Sequence, residues 1–226
     1  MNILAFETST IYESIALARE GKIYAEYTLK TSKTHSEHLL PTVDTLLSEV
    51  AMQRSELDAI AFSIGPGSFT GLRIGLATAK GLCMGLSKPL YIVSTLKSLA
   101  NNCSYSDTPI CSVINAGRNE LYAAIFTSNL EIVSPPSLYS AKQLSNNLSE
   151  KTLIVGNIDS RTKAIIEKKN LTSFARDVDC YPRASSLIDL VEKGQMDKVY
   201  TMDQLALVEP VYIRKSAAEE KFKNQI

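Results

Sequence analysis

Two short segments near the start of the chain carry side chains that could bind an anion or a metal. The first runs from Ser63 to Gly75, where Gly65-Pro66-Gly67 is followed by Ser68 and Thr70. Glycine lets the backbone approach another group closely, and a serine or threonine can cap the first amides of a helix. A helix start of this kind attracts phosphate or carboxylate groups. The same pattern equally fits a tight turn with a good N-cap, and it lacks the Gly-Lys-Ser/Thr of a P-loop.

The second segment, Glu7-Thr8-Ser9-Thr10, places a carboxylate and three hydroxyl groups at the end of a predicted strand. Such a cluster could hold a hydrated Mg²⁺ ion or phosphate oxygens. It could equally be the start of the turn into the next strand. The residues alone leave both interpretations open.

The two histidines, His35 and His38, are three residues apart and could share one face of a helix. A zinc site would need further ligands, but there is no third histidine and the cysteines lie far away in sequence. Capping or contact with solvent is the better interpretation, so we predict no metal site. The run from Gly67 to Gly71 is not a nucleophile elbow either, because its serine is not the central residue.

The composition narrows the class of protein. A length of 226 residues with 45% apolar content fits one large or two small domains with a packed core. Lysine plus arginine and aspartate plus glutamate number 24 each, which argues against a stand-alone nucleic-acid binder but not against a subunit of one. The four cysteines form no CxxC pair and are typical of free thiols in a reducing cytosol. Without a signal peptide or an apolar run near the roughly 18 residues of a membrane span, we expect a soluble cytoplasmic protein.

The hydrophobic periodicity predicts three consecutive strands and then alternating helices and strands in the first half. The predicted strands are 2–7, 13–19, 22–30, 57–63 and 90–93, and the predicted helices are 35–50, 68–86 and 94–103. This order indicates a mixed sheet with helices packed on it. The second half repeats this order of elements in a weaker and shorter form. Its predicted strands are 110–115, 119–127 and 152–156, and its predicted helices are 140–149, 158–168 and 183–193. We predict two domains, 1–103 and 108–226, and a frayed tail over 217–226.

The two long predicted helices carry patterns that suggest an interface. Before the helix over 35–50, Thr34 and Glu37 have capping-box spacing, and Pro41 predicts a kink or a late helix start. In the helix over 68–86, small residues recur at every fourth position and apolar residues cover nearly the whole circumference, so more than one side must be buried.

Either the first helix covers the outer face of the second within the chain, or both helices meet a second chain. We favour a second chain, because a small domain has little surface with which to cover both faces. The predicted interface residues are Leu39, Leu40, Val43, Leu47, Gly71, Gly75 and Ala79.

Several of these segments are similar to those of one protein family. The segments are 3–9, 35–41, 65–75, 115–122 and 210–214. Together they resemble the TsaB (YeaZ) family over nearly the whole chain, with Gly-Pro-Gly-Ser-Phe-Thr-Gly-Leu-Arg-Ile-Gly as the most specific block. The resemblance implies an α/β fold of the actin, Hsp70 and sugar-kinase (ASKHA) type, with two RNase H-like lobes of which the C-terminal one is reduced.

The resemblance also implies a function. The family supports the formation of N6-threonylcarbamoyladenosine beside the anticodon of tRNA, as the non-catalytic partner of the transferase TsaD, and the ATPase TsaE joins the pair. It implies a heterodimer with TsaD, a homodimer when the chain is alone, and contact with tRNA only through the complex. It implies no intrinsic cofactor, although ATP or ADP could bind at the interface of the complex. The nucleotide-binding candidates are Glu7, Thr8, Ser68 and Thr70.

Two positions depart from the family pattern. The family usually has aspartate where this chain has Glu7, and it more often has Asp-Ala-Arg where this chain has Asn115 and Gly117. A longer carboxylate in one lobe and a lost acid in the other disfavour nucleotide turnover by this chain itself. The alternatives are an ATP-dependent small-molecule kinase or ATPase of the same fold, and a metallopeptidase. The metallopeptidase is disfavoured because no histidine follows His38.

Overall fold

The computed structural model describes residues 1–30, 35–167 and 171–214. The predicted cap residue Thr34 and the tail over 217–226 lie outside these ranges. The strands are β1 (Ile3–Glu7), β2 (Tyr12–Arg19), β3 (Lys22–Lys30), β4 (Ala59–Ser63), β5 (Leu90–Val93), β6 (Ile110–Gly117), β7 (Glu120–Phe126), β8 (Ile132–Ser140), β9 (Thr152–Val155), β10 (Thr172–Phe174) and β11 (Lys198–Tyr200). The α-helices are α1 (His35–Glu49), α2 (Phe69–Leu86), α3 (Thr95–Asn101), α4 (Ala141–Asn147), α5 (Ser160–Glu167) and α6 (Ala184–Glu192). Short 3-10 helices cover Arg54–Glu56, Asp177–Asp179 and Met202–Leu207.

The strands form two mixed sheets with the same internal order. The first sheet has the order β11-β5-β4-β1-β2-β3, and the second has the order β10-β9-β6-β7-β8. In the first sheet β1 lies antiparallel to β2 and parallel to β4, and β6 has the same relation to β7 and β9. The second sheet therefore repeats five strands of the first. The predicted α/β architecture of two related lobes is confirmed.

Strand β8 is absent from the sequence prediction, and its two prolines explain why. Proline cannot donate to a sheet ladder, so it is confined to edge strands and bulges. The strand lies at the edge of the second sheet. Its pairing with β7 passes from Ala123 opposite Ser137 to Ile125 opposite Ser134, so Pro135 and Pro136 fall in the irregular step between these pairs. The short strands β10 and β11 were also missed.

The predicted second domain, 108–226, needs correction. Strand β11 pairs with β5 and joins the first sheet, and α6 packs against β1, β2 and β4 of that sheet. Helix α3, which was assigned to the first domain, packs against β6 and β7 of the second sheet. One continuous apolar core holds both lobes together and includes residues such as Ile3, Leu96, Ile110, Phe126 and Leu187. Along the sequence, the chain therefore returns to the first lobe after it has passed through the second.

The start of α6 shows how this return is fixed. The Ala184 N–H donates to Ser14 Oγ at 3.0 Å, and the Ser185 N–H donates to Glu26 Oε1 at 3.0 Å. Strands β2 and β3 thus supply the capping groups that the residues before the helix do not supply.

Helix α1 spans His35–Glu49 and contains Pro41, so of the kink or late start predicted at the proline the late start is wrong and the kink stays a prediction. Within the described ranges, no helix is both long and apolar enough to cross a membrane.

Candidate functional site

A cleft of about 600 Å³ lies between the two lobes. Loops at the ends of strands supply most of its lining, and residues of β2, α3, β6 and β7 supply the rest. The lining residues are Ser9, Thr10, Ile11, Tyr12, Gly67, Ser68, Leu99, Val113, Ile114, Asn115, Ala116, Tyr122, Asn157, Asp159, Cys180, Tyr181 and Pro182.

The two walls of the cleft are built in the same way. Ser68 follows β4 and its Oγ accepts the Gly71 N–H at 3.2 Å, while Asp159 follows β9 and its Oδ1 accepts the Thr162 N–H at 2.9 Å. Each residue caps the helix that starts on its wall, α2 or α5. The capping role of Ser68 was predicted. Asp159 was missed, although its position after a short strand and before a helix is a usable signal.

Gly67 allows a close contact within the protein. A Cβ atom on Gly67 would lie 2.3 Å from the Ser9 carbonyl oxygen, and the neighbouring Ser68 N–H donates to that oxygen at 2.6 Å. The close approach expected of Gly67 therefore brings the loop against the end of β1. Of the two interpretations that the sequence left open for this segment, the tight turn with a good N-cap describes the contacts seen here.

Only some of the residues predicted to bind a nucleotide lie in the cleft. Ser68 lines it, but Thr70 does not, and the side chains of Glu7 and Thr8 are fully buried. Thr8 Oγ1 donates to the Gly71 carbonyl at 2.9 Å, and Glu7 Oε1 accepts the Ser9 N–H at 2.7 Å. These bonds stabilise the turn after β1 and the first turn of α2. The placement of Glu7 and Thr8 at a ligand is thus corrected, whereas the nucleotide role of Ser68 and Thr70 stays a prediction.

Among the described residues, the side-chain charge that lines the cleft is negative. Its lining within the described chain contains no lysine or arginine, and it does contain Asp159. The backbone N–H and the hydroxyl group of Thr162 hold the pKa of the Asp159 carboxyl below its ordinary value, so this carboxyl is ionised at neutral pH. A phosphate group entering the cleft would meet a negative charge and no compensating side-chain cation.

A second, smaller pocket of about 340 Å³ adjoins the cleft and shares Tyr12, Asn157, Cys180 and Tyr181 with it. The rings of these two tyrosines stack at 4.8 Å between centroids. Lys30 and Lys163 line this second pocket and not the cleft.

The described residues give no support to a metal centre. Among them, no group of three or more histidine, cysteine, aspartate or glutamate residues is placed to hold a metal ion. The side chain of His35 lies outside the described part of the chain, and His38 is half-buried.

The predicted interface residues are mostly inside the chain. Leu39, Val43, Leu47, Gly71, Gly75 and Ala79 are buried, and only Leu40, at 47% exposure, reaches the surface. A Cβ atom on Gly75 would lie 2.2 Å from Thr8 Oγ1 and 2.6 Å from Phe62 Cε2, so this glycine packs against the first sheet. This choice of interface residues is therefore corrected, because the small-residue row that contains Gly75 faces the sheet.

The opposite side of α2 remains exposed. Helix α1 packs beside α2 within the chain but leaves Ala77, Gly81, Met84 and Gly85 at the surface, with Met84 62% exposed. A Cβ atom on Gly81 or Gly85 would meet nothing within 4 Å. We call these four residues, together with Leu40, the outer α2 face.

Comparison with known proteins assigns the chain to a family. A family model described as "TsaD: tRNA N6-adenosine threonylcarbamoyltransferase" matches residues 23–222. The chain is also 34% identical to "tRNA threonylcarbamoyladenosine biosynthesis protein TsaB" of Bacillus subtilis (strain 168), over 98% of each protein. The chain belongs to the TsaB (YeaZ) family. The TsaB protein of Haemophilus influenzae is 28% identical over 98% of this chain and 97% of its own length.

Solved structures agree with the family at the level of the fold. YeaZ from Pseudomonas aeruginosa superposes with a TM-score of 0.76 at 24% identity, covering 93% of this chain and all of that chain (100%). Component A of the (R)-2-hydroxyglutaryl-CoA dehydratase of Acidaminococcus fermentans gives a TM-score of 0.51 at 8% identity, over 91% of this chain and 99% of that one. The ASKHA-type fold predicted from the TsaB resemblance is confirmed.

Proposed function

We propose that this chain is a non-catalytic subunit of the complex that forms N6-threonylcarbamoyladenosine in tRNA. The observation that carries the proposal is the 34% identity, over 98% of both proteins, to a relative named for the biosynthesis of this nucleoside. In this role the chain binds TsaD and supports it, and TsaE joins the pair. The tRNA is met only through the complex, which acts in the cytoplasm.

The residues that line the cleft support a non-catalytic role for this chain. Lysine, arginine or a bound metal ion commonly stabilises the negative charge that develops when a phosphoryl group is transferred. The cleft lining offers Asp159 and no lysine or arginine among the described residues, and no metal-binding cluster lies in that part of the chain. A nucleotide in the complex would then be held at the junction with TsaD.

The outer α2 face is the surface we assign to the partner. Its two glycines and one alanine leave the helix backbone uncovered, so a helix of a second chain can approach closely. Met84 on the same helix and Leu40 on the neighbouring helix α1 are exposed apolar side chains. A second copy of the chain occupies this face when TsaD is absent.

Sedimentation of the purified chain, with and without TsaD, tests this assignment. We expect a homodimer alone that is replaced by a one-to-one complex when TsaD is added. A homodimer that persists unchanged beside bound TsaD would contradict a shared face. Rapid ATP hydrolysis by the chain alone would favour the kinase or ATPase alternative.

A further inference from the structure

The segment 208–214, which we call the strap, runs along the first lobe and ends on the second. Lys80 Nζ on α2 donates to the Val208 carbonyl at 2.7 Å, and the Val211 N–H donates to the Ile64 carbonyl at 2.9 Å. A Cβ atom on Gly65 would lie 2.9 Å from the Val211 carbonyl oxygen. The glycine therefore lets the strap lie directly against the loop after β4.

Tyr212 anchors the strap to the start of α2. Its ring lies 4.5 Å from that of Phe69 between centroids, and its hydroxyl oxygen accepts a hydrogen bond from Arg73 Nε at 3.1 Å. The Arg73 guanidinium also lies 3.8 Å from the centre of the Phe69 ring. Two aromatic rings and a cation thus form one cluster on the first lobe.

Arg214 anchors the strap to the second lobe. One guanidinium nitrogen donates to the Ala116 carbonyl at 2.6 Å, and another pairs with the Glu120 carboxylate. The side chain of Arg214 is only 16% exposed and that of Glu120 is 37% exposed. A forked, partly dehydrated pair of this kind is stronger than the exposed ion pairs of an ordinary surface.

The two anchor points lie on opposite walls of the cleft. The loop beneath Tyr212 contains Gly67 and Ser68, and the turn held by Arg214 begins at Asn115 and Ala116; all four residues line the cleft. Between its two Arg214 contacts the turn has a left-handed backbone at three successive residues, 117–119. We propose that the strap is a latch that holds this turn to the start of α2 and so sets the distance between the cleft walls. The inference does not depend on the proposed function.

Hydrogen exchange of the full chain, followed by mass spectrometry, tests the latch. Amide exchange reports the free energy of local opening. In Arg214→Ala we expect amides 115–121 to exchange roughly tenfold faster, while amides of β1 stay unchanged. The matched control is Lys193→Ala, which removes an exposed ion pair with Asp189 at the C-terminal end of α6 and should leave the turn unchanged.

Tyr212→Ala separates a latch from two independent contacts. Tyr212 packs on the first lobe, yet a continuous strap predicts that its removal also speeds exchange in the turn 115–121 of the second lobe. The proposal is overturned if Arg214→Ala leaves exchange in the turn within about twofold of the parent. It is equally overturned if Tyr212→Ala loosens only residues 64–73. Where an alanine variant also loosens β1, Arg214→Lys, which loses the forked geometry, and Tyr212→Phe, which loses the hydroxyl, decide by the same criteria.

Discussion

At the scale of single residues, two glycines on α2 have opposite surroundings. A Cβ atom on Gly75 would overlap Thr8 Oγ1 and the Phe62 ring, whereas one on Gly81 would meet nothing within 4 Å. We expect Gly75→Ala to lower the free energy of unfolding by about 1–3 kcal/mol, because buried atoms must shift. Gly81→Ala should raise it by up to about 1 kcal/mol, since alanine is the better helix former. Urea denaturation of both variants measures this, and destabilisation by both substitutions would contradict the packing described.

The cysteines give a second prediction at this scale. Burial raises the pKa of Cys83 and Cys111 to about 12, and that of Cys103 to about 11. Burial also raises the pKa of Cys180, but this residue is only half-buried and lines the cleft. A thiol whose pKa is raised holds less thiolate at pH 8, and the thiolate is the reactive form.

We therefore expect a thiol-specific reagent at pH 8 to modify Cys180 first, with the other three cysteines reacting only on unfolding. The rate at Cys180 should rise with pH, as the thiolate fraction grows. Peptide mapping identifies the modified residue, and Cys180→Ser is the control that should abolish the fast phase. Fast modification of two or more cysteines in the folded chain would contradict the burial described.

The row of small residues on α2 shows what residue spacing can and cannot tell. Spacing of four correctly indicates that something approaches Gly71, Gly75 and Ala79 closely. It does not say whether a sheet or another helix does so, because both need the same gap. Only the position of Phe62 and Thr8 beneath Gly75 decides for the sheet.

At the scale of elements, we expect substitutions on the exposed outer α2 face and substitutions in the buried core beside α2 to have different effects on partner binding. Gly81→Arg and Met84→Glu change exposed residues and should weaken TsaD binding and self-association at least tenfold, with the free energy of unfolding little changed. Leu47→Glu puts a charge at a buried position and should unfold the chain. Calorimetric titration with TsaD, beside thermal unfolding, measures both effects. Lys142→Glu on the exposed part of α4 is the control, and unchanged TsaD binding by both outer-face variants would contradict the assignment.

The start of α6 gives a second prediction at this scale. Glu26 Oε1 accepts hydrogen bonds from the Ser185 N–H and, at 2.7 Å, from its hydroxyl group. Glu26→Ala should therefore lower the free energy of unfolding by about 1 kcal/mol, since it leaves a helix-start amide without its cap. Lys22→Ala, on the same strand, should have little effect. Equal stability of Glu26→Ala and the parent would show that water replaces the cap.

Helices and strands with strong local periodicity were predicted well, and edge elements were not. Helix α2 was expected over 68–86 and lies at Phe69–Leu86. Strand β8 carries two prolines, and β10 and β11 have three residues each, too few for a period-two pattern to stand out. Their pairing depends on neighbouring strands that lie far away in sequence.

At the scale of the whole molecule, the sequence indicated two related lobes but not where the chain divides. Residues 184–200 return to the first sheet, where β11 pairs with β5 and α6 packs on β1 and β4. The residue pattern of 184–200 does not indicate which of the two sheets these elements join. The lining of the cleft was predicted only in part: Ser68 was among the predicted ligand residues, whereas Asn157, Asp159 and Tyr181 of the second lobe were not.

The central claim is that this chain supports the transferase and does not carry out the transfer. The most direct measurement is formation of N6-threonylcarbamoyladenosine in tRNA from threonylcarbamoyl-adenylate, with TsaD, TsaE and this chain each omitted in turn. We predict product only when TsaD and this chain are both present, and none from this chain with tRNA alone. Product formed by this chain without TsaD, or a rate with TsaD and TsaE that is unchanged when this chain is left out, would contradict the account.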